Sequence, residues 1–437
     1  MSIRLLAASF VCTLTLGLAA PQPALAQRAN GPYSGVLGGQ PDENRTQGLD
    51  LHGSMFGAWD ENIFPASEAT TQLDPRLKES GASAGVSGSL GYDRRGDRAQ
   101  FGLNGGVNAR EYASSPNLVA AYQAGTVLTA NLTPKIMFNA RGSASYSPFF
   151  NFAPFLDVGM GSVGPLAGNF GYAALAERNV GLDASVGLTN NFTKRTSLFI
   201  TASERDWRLL DDPQNNLRSW GARAGVHHNL THGLGVHLEY GRDQNEYAFA
   251  GAAPYVYQTI DAGVDYGDTL SFARHTALSF STSTAATRYL GETHYRLNGL
   301  VRLTRGFSRT WSTWVGYDRN TEFRIGFRVP LLTDSVNAGL AGLVMWRVKW
   351  SMGAGYTRGT VGFGSNDFSV YSGTSRFDLA ITRMLALFGQ YAYYHYEVPP
   401  GSSALDLVPR FSRQVATVGL TVWVPLINDV RAPKQPR

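Results

Sequence analysis

The sequence predicts an all-β protein, a transmembrane antiparallel up-and-down β-barrel. Three observations predict it. Apolar and polar residues alternate with period two over long segments. The connections between those segments are alternately short and long, as in barrels with a turn side and a loop side. The composition is heavy in small and aromatic residues, with 49 Gly, 20 Tyr, 23 Phe and 8 Trp, while charged residues make up only 16%. No stretch after the first 26 residues reaches the roughly 18 uninterrupted apolar residues of a spanning helix. A chain of this kind crosses a membrane only as a closed barrel, in which each strand satisfies its neighbours' backbone groups.

The first element is a signal peptide over 1–26. Arg4 supplies a positive start, Leu5 to Ala20 are apolar, and Ala24-Leu25-Ala26 gives the small-x-small pattern of a cleavage site. Pro21 and Pro23 stop the apolar run short of a membrane anchor. Cys12, the only cysteine, lies mid-run, not at its end where a lipoprotein signal would place it. Cleavage after Ala26 leaves a chain without cysteine, so disulfides, metal thiolates and a cysteine nucleophile are excluded. The formal charge of +5 is spread without Lys/Arg blocks, which gives no nucleic-acid partner. A short periplasmic segment (27–48) is expected next, then the barrel (49–426), then a periplasmic tail (427–437).

Strands are expected at 49–59, 81–92, 99–110, 119–130, 135–146, 178–190, 196–207, 218–229, 234–245 and 256–266. The series continues at 275–288, 293–303, 310–328, 336–346, 349–360, 369–381, 384–398 and 410–424. That makes eighteen, with sixteen the alternative because 310–346 is the weakest stretch. Val180, Leu182, Ala184, Val186 and Leu188 form one face of a strand, and Gly181, Asp183, Ser185, Gly187 and Thr189 the other. The same alternation places Phe101, Leu103 and Val107, then Leu234, Val236, Leu238 and Tyr240, and then Phe323, Ile325, Phe327 and Val329 against lipid. Three turns carry Asn-x-Thr, at Asn131, Asn191 and Asn229. Asn tolerates left-handed backbone and Thr caps turns, so turn chemistry accounts for them better than glycosylation.

The last strand resembles the terminal signal read by barrel-assembly machinery, with Thr417, Gly419, Val422 and Val424 in its places. An aliphatic residue ends it in place of Phe, and 425–437 follow. At the first strand, Ser54-Met55-Phe56-Gly57-Ala58-Trp59-Asp60-Glu61-Asn62-Ile63-Phe64 resembles the opening of an outer-membrane β-barrel porin family, type two. In that family a Tyr-Asp-Asp-Asn-Ile-Phe-like stretch leaves the first strand. Trp59 and Glu61 depart from the commonest choices. The resemblance implies about eighteen strands, and some members are linked to exopolysaccharide secretion. It therefore implies a porin or glycan-export role with polysaccharide-export components as partners, and it carries over no catalytic residue.

Motifs for other chemistry do not find their settings. Gly81-Ala82-Ser83-Ala84-Gly85 matches the nucleophile-elbow pattern but opens an alternating strand, where it serves packing. Gly159-Met160-Gly161-Ser162-Val163-Gly164 is followed by Pro165 where a phosphate-binding helix would begin. The histidines lack zinc-ligand spacing, and His227 and His228 fall on opposite faces of one strand. Asp211-Asp212 with Asn215-Asn216 reads as a solvated acidic loop more than a calcium site. No cofactor, no metal and no enzyme are expected.

With the apolar face toward lipid, the inward face carries Arg110, Arg141, Arg205, Arg223, Arg296, Arg302, Arg324, Arg328 and Arg376. Asp183, Glu239, Asp261, Asp265 and Asp378 face inward with them. Charges there either set ion preference or pair across strands to stiffen the wall, and the arginine excess implies a weak anion preference at most. The loop 147–177 holds Phe149, Phe150, Phe152, Phe155 and Phe170, which need cover in the lumen, at the rim or on a partner. It is a candidate constriction. The expected function is a passive channel or translocation component for small hydrophilic or saccharide solutes in the outer membrane of a Gram-negative cell. Its partners are outer-membrane lipid and barrel-assembly machinery. The alternatives are a lipid-active enzyme and a closed structural or adhesive barrel. The turn pattern predicts that cysteine at Gln214 or Ser402 reacts with an impermeant thiol reagent on intact cells, while cysteine at Lys194 does not; labelling of position 194 alone would reverse the topology.

Overall fold

The computed structural model describes residues 36–37, 45–63, 81–113, 115–151, 173–175, 177–231, 233–248, 254–270, 273–289, 292–308, 310–327, 329–364, 366–400 and 409–430. In chain order the strands are β1 (Arg45–Ile63), β2 (Gly81–Arg95), β3 (Ala99–Tyr112), β4 (Ser115–Asn131), β5 (Ile136–Ser147), β6 (Phe150–Asn151) and β7 (Ala173–Leu175). They continue as β8 (Asn179–Asn191), β9 (Thr196–Leu209), β10 (Leu217–Asn229), β11 (Leu234–Tyr247), β12 (Tyr255–Leu270), β13 (Ala273–Tyr289) and β14 (Glu292–Gly306). The last six are β15 (Ser312–Glu322), β16 (Leu331–Met345), β17 (Val348–Val361), β18 (Asp367–Ala380), β19 (Leu385–Glu397) and β20 (Arg410–Val430).

Eighteen of these form one antiparallel sheet, each strand beside its neighbour in the chain, and β1 pairs with β20 to close it. The closing seam is long, from Arg45 opposite Val430 to Ile63 opposite Ser412. β6 and β7 make a separate hairpin within the connection between β5 and β8. The eighteen expected strands are all present, and sixteen is excluded. The wall extends beyond the expected ends, starting at Arg45 and running to Val430.

Period-two alternation produces the two faces. On β8, Leu182, Val186 and Leu188 are exposed on the outside while Ser185 is buried on the inside. Met55, Trp59, Leu118, Tyr122, Leu238, Ile260 and Leu297 extend the apolar outer surface around the wall. Large exposed apolar side chains all round a closed barrel have one suitable solvent, the hydrocarbon of a membrane.

Both chain ends of the barrel and the tighter connections lie on one side, and the longer loops on the other. At the tight side threonine supplies the turn chemistry. Thr133 Oγ1 accepts hydrogen bonds from the amides of Lys135 (3.2 Å) and Ile136 (3.0 Å), and Thr193 Oγ1 from those of Arg195 (3.1 Å) and Thr196 (2.9 Å). Thr231 does the same for Leu234 (3.1 Å), and Thr382 for Met384 (3.1 Å) and Leu385 (3.0 Å). The loop side holds two exceptions, one of them the connection after β13, which spans only 290–291. The other, after β3, spans only 113–114, because Tyr112 pairs with Ser115 across an irregularity in the ladder.

Glycine and aromatic residues are abundant because they occupy each other's space. A Cβ on Gly85 would sit 2.6 Å from Phe56 Cζ, on Gly225 2.7 Å from Phe199 Cζ, and on Gly339 2.6 Å from Trp314 Nε1. The elbow-like motif Gly81 to Gly85 lies on strand β2, and its Ser83 faces Ala58 O at 3.5 Å. Facing predicts that Val186→Arg costs about 2 to 4 kcal/mol of barrel stability, the range for a lipid-face cation near the midplane. Gln123→Arg, on an inward face, should assemble like the parent. Urea titration of the refolded barrels in lipid measures both.

Candidate functional site

Residues directly opposite in an antiparallel ladder share a face, so the register assigns the lumen lining strand by strand. Near the outer end, Asp60 of β1 accepts from Arg110 Nη1 on β3 (3.2 Å) and from Arg413 Nη2 on β20 (3.0 Å). All three residues are buried. The Arg110 guanidinium also lies over the rings of Phe56 (5.4 Å) and Tyr112 (5.7 Å). Asp60 thus binds strands on both sides of the closing seam, and it is the aspartate of the stretch that carries the porin resemblance.

A charged stripe descends the inner faces of β8 to β12. Arg205 Nε meets Asp183 at 3.0 Å and lies over Trp207 at 5.4 Å. Arg223 pairs with Asp243 (3.2 Å) and approaches Glu239 (3.8 Å). Lower down, the His237 ring lies between two carboxylates, with Nε2 2.7 Å from Asp261 and Nδ1 2.6 Å from Asp265. His227, directly opposite His237, is 3.6 Å from Asp265. Gly235 and Gly263 leave room for these rings; a Cβ on Gly263 would stand 2.7 Å from His237 Cε1. On β18, Arg376 grips Asp378 at 2.7 Å and covers Phe388 at 4.2 Å. Arg296 donates to Thr333 O (2.8 Å), and Arg302 lies 4.9 Å over Trp314. Arg141, on the inner face of β5, has no hydrogen-bonding or ionic partner among the described residues.

One of the expected inward arginines, Arg324, is placed differently. β15 ends at Glu322, and 323–330 form a loop where a lipid-facing strand run was expected. Phe323, Ile325 and Phe327 are buried in the core instead of exposed to lipid, and Arg324 sits in the loop. Arg328 lies outside the described residues. The physical reason is the turn at Arg324–Phe327, where the Phe327 amide donates to Arg324 O (3.3 Å) and Gly326 takes φ +83°, a conformation closed to most side chains. The breakers Gly326 and Pro330 within the alternating run were the signal for it.

This loop folds into the lumen. Phe323 packs on Tyr255 (5.8 Å) and Tyr257 (5.7 Å), which share the inner face of β12 with Asp261. Tyr247 on β11 donates to Arg324 O at 3.3 Å, and Gly362 N donates to Pro330 O at 2.8 Å. The loop therefore reaches from β15 to strands three and four places away. Leu209, Leu217, Leu331, Phe368, Tyr394, Tyr396 and Phe411 complete this buried layer toward the outer end, and Phe388 joins it nearer the tight-turn end of β19.

The loop 147–177 shows its root. Phe149 is buried against Tyr112, Val119 and Ala121 on the inner side of β3 and β4, edge-on to Tyr112 at 6.4 Å. Phe150 opens β6, but its side chain lies outside the described residues, as do Phe152, Phe155 and Phe170. The acidic loop beyond β9 is satisfied internally, Asp211 by Arg178 and Asp212 by Asn215. The Arg178 guanidinium beside it holds the Asp211 carboxyl below the usual carboxylate range.

No family model and no curated protein matches the chain. Among solved structures it is similar to Acinetobacter baumannii OccAB4, at 11% identity and a TM-score of 0.41, covering 88% of this chain and 100% of that one. It is similar also to Pseudomonas aeruginosa OpdQ (10%, 0.43, 87% and 98%) and to OccK2 (OpdF) of that organism in complex with glucuronate (9%, 0.45, 87% and 98%).

The seam cluster generates a stability prediction. Asp60→Ala leaves two buried guanidinium groups without their carboxylate and should cost about 3 to 5 kcal/mol. Urea midpoints of the refolded barrel measure it, and an unchanged midpoint would show that Asp60 is not needed at the seam.

Proposed function

We propose that this chain is an outer-membrane channel for passive passage of small hydrophilic solutes, saccharides among them. The observation that carries the reading is the lining of β2 to β5 and β8. Ser87, Ser89, Asn104, Gln123, Ser143 and Ser185 share the inward face there. A wall of hydroxyls and amides facing inward in an eighteen-stranded barrel suits water, and barrels of this size leave an aqueous channel unless filled. Export through a cleaved signal peptide and insertion by barrel-assembly machinery fit the outer-membrane location. The finer role in exopolysaccharide export rests on the resemblance at residues 54–64, with polysaccharide-export components as the partners to test by co-purification.

A closed barrel is the second reading, favoured by the aromatic layer and the inward loop on the opposite wall. Planar-bilayer recording separates them. The parent protein should conduct, and replacing Phe323, Ile325 and Phe327 together by serine should release the loop and raise single-channel conductance. A parent barrel that is silent, with conductance only after the substitutions, would establish the closed reading instead.

A further inference from the structure

The inner charges are distributed unevenly around the wall. Among the described residues, the large aromatic layer draws on β1, β9 to β13 and β16 to β20 and on the loop 323–330, and takes no residue from β2 to β5 or β8. The loop and its partners therefore fill one side of the lumen. The other side keeps small polar side chains below the rim cluster around Phe149.

On that open side the charges are nearly all neutralised. Asp60 is held by Arg110 and Arg413, Asp183 by Arg205 at 3.0 Å, and Asp93, near the tight-turn end, lies 3.8 Å from Arg45. The exceptions among the described residues are Arg95, the last residue of β2 at the tight-turn end, and, within the wall, Arg141. It stands midway along β5, opposite Val127 on β4 and Ser185 on β8. The flanking inward positions are Asn139 and Ser143 on its own strand, Gly125 and Thr129 on β4, and Asp183 and Gly187 on β8. Asp183 is the one carboxylate in this set, and it is turned to Arg205, with the Trp207 Nε1 at 3.4 Å and the Ser143 hydroxyl at 3.5 Å completing its contacts.

The inward arginines of the other strands are engaged. Arg205, Arg223 and Arg376 have carboxylates, and Arg296 has a carbonyl. Arg302, near the tight-turn mouth, has its guanidinium over the Trp314 ring. Asp318, which faces inward on β15, is beside Arg296 on the filled side.

We propose that Arg141 is the selectivity-setting group of the lumen and takes the carboxylate of small monoanionic solutes passing along the β2–β8 wall. This rests on the barrel being a conducting channel. A guanidinium offers a planar fork that matches a carboxylate in two parallel hydrogen bonds. One uncompensated positive charge balances one negative charge; a second on the solute would meet Asp183. The neighbouring hydroxyls and amides provide partners for the rest of a polar solute.

Reversal potentials in planar bilayers, recorded across a gradient of potassium acetate, test this. The parent should pass acetate in preference to potassium, Arg141→Lys should keep that preference, and Arg141→Glu should turn it severalfold toward potassium. The charge-neutral double variant Arg376→Gln/Asp378→Asn, on the filled side, should leave the reversal potential where it was. A conducting Arg141→Glu barrel with the parent's reversal potential overturns the assignment while leaving the channel reading intact. A parent barrel that does not conduct overturns both.

Discussion

Hydrocarbon contains no water, and every other feature of this molecule depends on that. A backbone NH or CO left unpaired in the bilayer costs several kcal/mol, so the sheet has no permissible edge and β1 must find β20. The length of their seam, from Arg45 to Ile63, reflects this demand. Asp60, at its outer end, adds a charge-assisted tie between β20 and β3. Closure also settles what the apolar residues are for. In a soluble sandwich the apolar face would be the core, whereas here Leu182, Val186 and Leu188 stay exposed because lipid is their solvent.

Closing eighteen strands creates an interior too wide for wall side chains to fill by themselves, and the protein treats the two halves of that interior differently. One half is packed, with a loop whose three large apolar residues are buried against aromatic side chains from strands across the lumen. Burial of each such side chain is worth about 1.5 to 3 kcal/mol, which offsets part of the entropy lost in ordering the segment. The other half is lined with small polar groups. Charges occur in both, but mostly as pairs such as Arg205–Asp183 and Arg376–Asp378. Such pairs stiffen a wall and contribute little net field, which leaves Arg141 electrically conspicuous although many arginines face inward.

Glycine serves the same end. Strands with large rings on one residue need a neighbour without a Cβ at the same height, as Phe56 has in Gly85 and Trp314 in Gly339. The abundance of both residue types is one structural device. Among the described residues, only Gly326 and Gly362 have a backbone that requires glycine for its positive φ, and both lie where the inward loop is formed or anchored.

The sequence by itself determined the barrel, its eighteen strands, the lipid face and the turn side, because side-chain alternation in a strand is a local property and a bilayer reads it directly. The inward positions of Arg110, Arg205, Asp183 and Asp261 were legible for the same reason. Which charges meet which was not, since pairing depends on register between strands far apart in the chain. The misreading at Phe323 to Phe327 has that origin too. An alternating apolar run suits lipid on the outside and equally suits a folded-in loop, and only the tertiary structure, with Tyr247, Tyr255 and Tyr257 waiting across the lumen, decided which solvent those side chains would meet.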